Sequence, residues 1–469
     1  MRRLDSGKLC FGALLTLTAG VAFAYAEGPP ATPKLQSEYY AIPGNRDTEA
    51  AVAAATARVA SARANVSPDS LQLADALTSL GDAYLAAGNF ASAQSAFQEA
   101  VTLCERQDGE NSEGLIAPLR GLGLSLARAG RAQSALPHFE RALQIVRSAY
   151  GVLDLRQQDL LLDLSNSLTV LRREDDARDH MLHRVVIAEK SFGQGDPRVV
   201  PALTELGEWF TLTGQFREAR IAQQVALNIL DTRSSSDSLA AVQPLRAVAN
   251  THMREVSYPR IALLPQLPRG FTVDAWGAPI ELEPQRLSTF GERSLEHALR
   301  ILESDPTAPT AALVDTLLQM GDWFEIKHLP SKALPYYERA WQLLATDTSR
   351  VAAKGQLEFP QRVYYPTPLM VFRDPDAPAS ELDVHFVQVE FTVTGEGAVK
   401  DARIVDHNTT KRFANSVLRA VRAARYRPKF ADGKPVQTVA MSYREVFRVR
   451  KPNDATQAQA TSRPLTRSM

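Results

Sequence analysis

Apolar and small residues recur along most of this chain at helical spacing, and the pattern itself repeats. Leu77, Leu80, Gly81 and Tyr84 share one face of a first helix, Ala93, Phe97 and Ala100 share one face of a second, and Gly88 lies between them. Forty-two residues later the same columns hold Leu119, Leu122, Gly123, Leu126, Gly130, Ala135, Phe139 and Ala142. Two further periods on they hold Leu203, Leu206, Gly207, Phe210, Gly214, Ala219 and Ala226. The unit between keeps Leu161, Leu164, Leu168 and Ala177, but Ser165 replaces the first glycine and Arg172 the turn glycine. Self-similarity on this scale predicts a solenoid of helical hairpins, in which each unit buries its apolar face only against its neighbours.

A last clear unit holds Leu317, Met320, Gly321, Phe324, Ala333, Tyr337 and Ala340. Its first glycine lies 114 residues after Gly207, 30 more than two periods. Leu245, Val248, Ala249 and His252 supply the first helix of a fifth unit, and Leu295 and Ala298 its second. The excess is therefore placed between them, at about 258–284, where Pro259, Pro265, Pro268, Pro279 and Pro284 bracket Phe271 and Trp276. So many prolines exclude regular helix and sheet. The segment either folds over the concave groove or packs on the convex side. Ala-rich Thr48 to Ala64 is expected as a half-unit that opens the solenoid, which then spans 48–345.

After an expected linker at 346–359 the periodicity changes from helical to alternating. Val387, Val389, Phe391 and Val393 alternate with polar residues as in a half-buried strand. Gly395-Glu396-Gly397 turns the chain and Val399 to Val405 returns. Phe413, Val417, Val421 and Ala424 then make one apolar helix face, Asp432-Gly433 turns again, and Val436 to Val449 makes a long final strand. The order ββαβ predicts a small α+β domain over 360–450. Residues 451–469 are polar and aperiodic and are expected to be disordered.

Composition narrows the classes of function. The chain has 469 residues with 53 basic and 53 acidic side chains, a balance unsuited to nucleic acid as the main partner. At the start, Arg2, Arg3 and Lys8 precede an apolar run from Leu9 to Phe23 and two small-x-small sites, Ala22-Phe23-Ala24 and Ala24-Tyr25-Ala26. This pattern reads as an export signal over 1–26, followed by a proline-bearing linker at 27–47; the alternative is an uncleaved membrane anchor. Of the two cysteines, Cys10 lies within that segment, and Cys104 is expected to be a buried apolar filler. No phosphate-binding loop, nucleophile elbow or zinc-ligand array is present, so no enzymatic activity, cofactor, metal or small-molecule substrate is expected. Asp176, His180 and His183 share a helix face without a further ligand in view, and are expected to be solvated.

The repeat columns resemble the tetratricopeptide repeat family, in its longer variety seen in kinesin light chains, over about Ala50 to Leu344. A second resemblance is carried by Tyr365-Pro366, Phe391-x-Val393-x-Gly395-x-Gly397-x-Val399, Ala420-Val421-Arg422, Tyr426-Arg427-Pro428 and Asp432-Gly433-Lys434-Pro435-Val436. These look like the C-terminal domain of the energy transducer TonB. The chain departs from that family in a polar segment at 374–383, in lacking a long Pro-Lys or Pro-Glu spacer, and in having no histidine in its N-terminal apolar run.

The first resemblance implies a concave peptide groove lined by Asp75, Thr78, Asp82, Arg120, Arg128, Asn166, Glu208, Asn250 and Arg254. The second implies capture of an extended peptide by an open sheet edge. Arg419, Arg422, Arg425 and Arg427 form a basic patch that either meets an anionic partner or is a solvated face. Together these features predict an exported periplasmic adaptor for protein or peptide partners, with an outer-membrane or cell-wall component as one possibility. The alternative is a TonB-type transducer for outer-membrane transport, anchored in the inner membrane by an uncleaved N-terminus.

Overall fold

The computed structural model describes residues 47–65, 70–233, 236–257, 284–346, 351–366 and 382–450. The expected export segment, nearly all of the linker after it, the proline-rich insertion and the C-terminal tail lie outside these residues. Helix α1 (Asp47–Asn65) precedes six helical hairpins. These are α2 (Leu71–Ala86) with α3 (Phe90–Asp108), α4 (Ile116–Arg128) with α5 (Ala132–Tyr150), and α6 (Gln158–Val170) with α7 (Glu174–Phe192). They continue as α8 (Val200–Leu212) with α9 (Phe216–Thr232), α10 (Val242–Ser257) with α11 (Pro284–Ser304), and α12 (Thr310–Ile326) with α13 (Pro330–Thr346). No described helix is long and apolar enough to cross a membrane.

Size complementarity between two columns holds three of the hairpins together. Phe97 is fully buried, and a Cβ placed on Gly81 would come within 2.6 Å of its ring. The same holds for Gly123 against Phe139 and for Gly321 against Tyr337, at 2.5 and 2.2 Å. Burying each such ring contributes about 1.5–3 kcal/mol relative to leaving it in water. In the third unit both partners change: Ser165 faces a column that now holds the flexible Met181. The turn column keeps its backbone even where glycine is lost. Gly88, Gly130 and Gly214 have φ of 75°, 84° and 79°, and Arg172 and His328 follow at 64° and 58°.

First helices of successive units touch one another, α2 with α4, α4 with α6, α8 with α10 and α10 with α12. They therefore line the inner side of the array, and the row of groove candidates lies on them. One apolar core runs from Ala55 to Leu302, and a second joins α10–α13.

The segment expected as a linker at 346–359 contains a helix, α14 (Val351–Glu358). Among its residues with described side chains only Leu357 is fully buried. Beyond it come β1 (Gln361–Tyr364), β2 (Leu382–Val393), β3 (Val399–His407), α15 (Lys411–Ala423), β4 (Arg425–Arg427), β5 (Lys429–Ala431), β6 (Lys434–Val436) and β7 (Thr438–Arg450). The main sheet is antiparallel with order β3-β2-β7. Val387, Val389, Phe391 and Val393 face inward and pack with Ala414, Val417 and Val421 of α15. The expected final strand is found as β7, with only Val436 falling in the short strand before it. β6 closes a two-residue hairpin with β5 through Asp432 and Gly433, both at positive φ, and β7 then joins the sheet. Among the described residues the outer edge of β7 has no partner strand.

Candidate functional site

The helix of the small domain ends at Ala423, and the chain turns at once into the short strand β4, which pairs with β1. This places two arginines against the last repeat. Arg427 is held by both carboxylate oxygens of Asp322 on α12, Nε to Oδ1 at 3.0 Å and Nη2 to Oδ2 at 2.6 Å. Its Nη1 donates to Gln356 of α14 at 3.3 Å, and Tyr337 donates its hydroxyl to Asp322 Oδ1 at 2.8 Å. Arg425 donates from Nε to Glu325 Oε2 at 3.0 Å and from Nη2 to the Glu396 carbonyl at 3.0 Å. Phe430 of β5 adds an apolar contact, stacked on Trp341 of α13 with centroids 5.9 Å apart.

Arg425 and Arg427, expected in a basic patch, are therefore buried, each 9% exposed, and paired with acids of the solenoid. Their charge is consumed within the molecule. Arg419 and Arg422 do lie exposed on α15, where Arg422 also donates to the Ala402 carbonyl at 3.1 Å. Glu325 is fully buried, and its Oε1 has no hydrogen-bond partner among the described residues. Burial raises its carboxyl to about 7, against the opposing pull of Arg425. Removing one member of such a pair strands the other charge, so the pairs fix where the sheet domain sits on the solenoid.

The groove candidates fall into two groups. Toward the N-terminus the charges neutralise one another. Arg120 donates to Asp163 at 2.6 Å and to Asp159 at 2.8 Å, Asp82 lies within its field, and Arg128 lies within that of Asp163. Burial is the main cause of a raised Asp163 carboxyl, which Arg120 partly offsets. Thr78 donates to the Ala74 carbonyl at 2.9 Å, Asp75 is exposed, and Asn166 and Arg254 are half-buried.

Toward the C-terminus the structure brings Glu208 of α8 and Asn250 of α10 together around a cavity of about 460 Å³. Gln243 and Arg246 of α10 and Asp315, Gln319 and Asp322 of α12 line it too. The far wall is Gln356 of α14 and Arg427 of β4, so both domains build it. Glu208 accepts a 3.5 Å hydrogen bond from Gln243; burial raises its carboxyl, and Arg246 pulls the other way. Arg246 donates from Nε to Gln319 at 3.1 Å and stands 3.9 Å from Asp315. Burial lowers the Arg246 guanidinium despite both acids.

Two of these residues were legible in the repeat register. Arg246 stands three periods after Arg120, and Asp322 follows Asn250 by one period plus the 30 inserted residues. Gln356 and Gln319 carried no such signal. Among the described residues no cluster of potential metal ligands occurs.

Residues 72–148 match the tetratricopeptide repeat model, and residues 386–447 match that of the Gram-negative bacterial TonB protein C-terminal. The chain is thus a tetratricopeptide-repeat solenoid followed by a domain of the TonB C-terminal type. No curated protein matches it. Among solved structures, BtubC (BKLC) from P. vanneervenii is similar at 16% identity, over 64% of this chain and 91% of that one, with a TM-score of 0.32. The apo form of RapI is similar at 12% identity, over 68% and 98%, with a TM-score of 0.38.

Proposed function

We propose that the protein is a non-catalytic adaptor exported to the Gram-negative envelope, where the solenoid groove holds a peptide segment of one partner and the edge of β7 docks another. The repeat and TonB-type matches support protein–protein interaction, and the N-terminal signal pattern supports export. The observation that carries the reading is the polar cavity on the inner side of the solenoid, rimmed by the side-chain amides of Gln243, Asn250, Gln319 and Gln356. Such amides can pair with both the N–H and the C=O of an extended backbone. The outer edge of β7, unpaired among the described residues, offers the same kind of recognition through main-chain bonds.

An energy transducer needs its receptor-binding domain at the end of a long spacer. Here two buried ion pairs hold that domain against the last repeat, which favours the adaptor over the transducer.

The test is photo-crosslinking in living cells, with p-benzoylphenylalanine at Asn250 or at Val439 of β7, together with mass spectrometry of the mature N-terminus. The expected result is a start near Tyr25 or Glu27 and a specific partner at each position. A retained N-terminus would overturn export with cleavage, and the absence of any crosslinked partner would overturn the adaptor reading.

A further inference from the structure

The charges around the junction cavity do not balance. Asp322 and Arg427 neutralise each other through two hydrogen bonds. Among the described residues Arg246 then remains as the one lining cation for two lining acids, Glu208 and Asp315. It is 3.9 Å from Asp315 and makes its shorter contact with the neutral amide of Gln319. Glu208 receives a long hydrogen bond from a neutral amide and lies near a further acid, Glu205. Glu208 is half-buried, and a partly desolvated carboxylate with no cation bonded to it is stabilised when a ligand brings one.

We infer that the junction cavity takes a lysine or arginine side chain from a partner peptide, with Glu208 as its counterion. This rests on the reading of the groove as a peptide site and names the charge of its ligand. An acidic peptide would add a like charge to Glu208, Asp315 and Asp322. Gln243 and Asn250 of the adjoining helix line the same cavity, and their side-chain amides can pair with the peptide backbone beside that basic residue.

The cavity's composite wall has a second consequence. Arg427 and Gln356 belong to segments beyond the last repeat, so an occupant touches both domains at once. Whatever fills the cavity binds better when the sheet domain is docked and, by linkage, holds it docked.

The test uses the full chain and three fluorescein-labelled heptapeptides: all-lysine, all-glutamate, and alternating glycine and serine. Anisotropy at low salt is expected to show binding of the lysine probe, none of the glutamate probe, and at least tenfold weaker lysine binding by Glu208→Gln. Arg419→Gln on α15, outside the cavity, controls for diffuse attraction and is expected to leave binding within twofold. Hydrogen exchange of the β4 amides is expected to slow when the lysine probe saturates the wild type but not Glu208→Gln. Lysine binding indifferent to Glu208→Gln, tighter binding of the glutamate probe, or no binding of any probe would overturn the inference. Each of these leaves the adaptor reading to its own crosslinking test, since a partner captured at Asn250 through an acidic or neutral segment would uphold that reading alone.

Discussion

Arg427 and Asp322, 105 residues apart in sequence, form a two-pronged ion pair that joins strand β4 to helix α12. Their side chains are 11% and 15% exposed, so the pair is largely withdrawn from water. It seats the sheet domain on the open end of the solenoid and at the same time forms one wall of the groove cavity. The tyrosine hydroxyl of Tyr337, itself packed against Gly321, completes the arrangement.

Breaking that pair on one side is expected to be costly. Arg427→Met should leave Asp322 buried without its cation and cost about 3–5 kcal/mol. Calorimetry should then resolve a separate transition for the sheet domain, and exchange of the β4 amides should accelerate. The double variant Arg427→Met with Asp322→Leu should recover part of the loss, because no stranded charge remains.

The third repeat carries a backbone strain that a single substitution should relieve. Arg172 holds a φ of 64° in a column otherwise occupied mainly by glycine. Arg172→Gly should raise stability by about 1 kcal/mol, since an L-residue in this region pays that order of energy. The reciprocal change, Gly130→Ala, should lower it by a similar amount. Urea unfolding of both variants would check the pair.

Phe97 is gripped from two sides, for a Cβ on Gly81 or on Gly121 would lie 2.6 or 2.3 Å from its ring. Gly121→Ala should therefore cost about 1–3 kcal/mol by overpacking. Adding Phe97→Leu should return part of that loss, a non-additive result that a double-mutant cycle would show.

Acid should destabilise the fifth repeat through His252. This imidazole is 4% exposed, neither ring nitrogen has a hydrogen-bond partner among the described residues, and burial, with Arg220 nearby, lowers its pKa to about 4. A folded-state value below the unfolded one near 6.5 means that the unfolded chain takes up the proton first. Stability is whole above pH 6.5 and falls as the pH drops from there toward 4, by about 3 kcal/mol in all. His252→Leu should flatten the pH dependence of the unfolding free energy in that window by up to one proton.

The solenoid was legible because each repeat presents the same few columns. Gly81, Phe97 and Gly88 recur in register. The ββα core of the sheet domain was legible from alternation and from one helical face. The fate of Arg425 and Arg427 was not. A short run of arginines looks the same whether it faces water or acids, and the deciding partners Glu325 and Asp322 are about a hundred residues away. Helix α14 was missed for a related reason, since it buries Leu357 against a surface that other segments supply.

By itself, then, the sequence determined what local periodicity encodes: helical hairpins, their turns, and a strand-rich domain after them. The tertiary structure alone decided which charges are spent inside the molecule and which remain for a ligand. Ion pairing depends on distance in space and on loss of water, and neither is written in the spacing of residues along one chain.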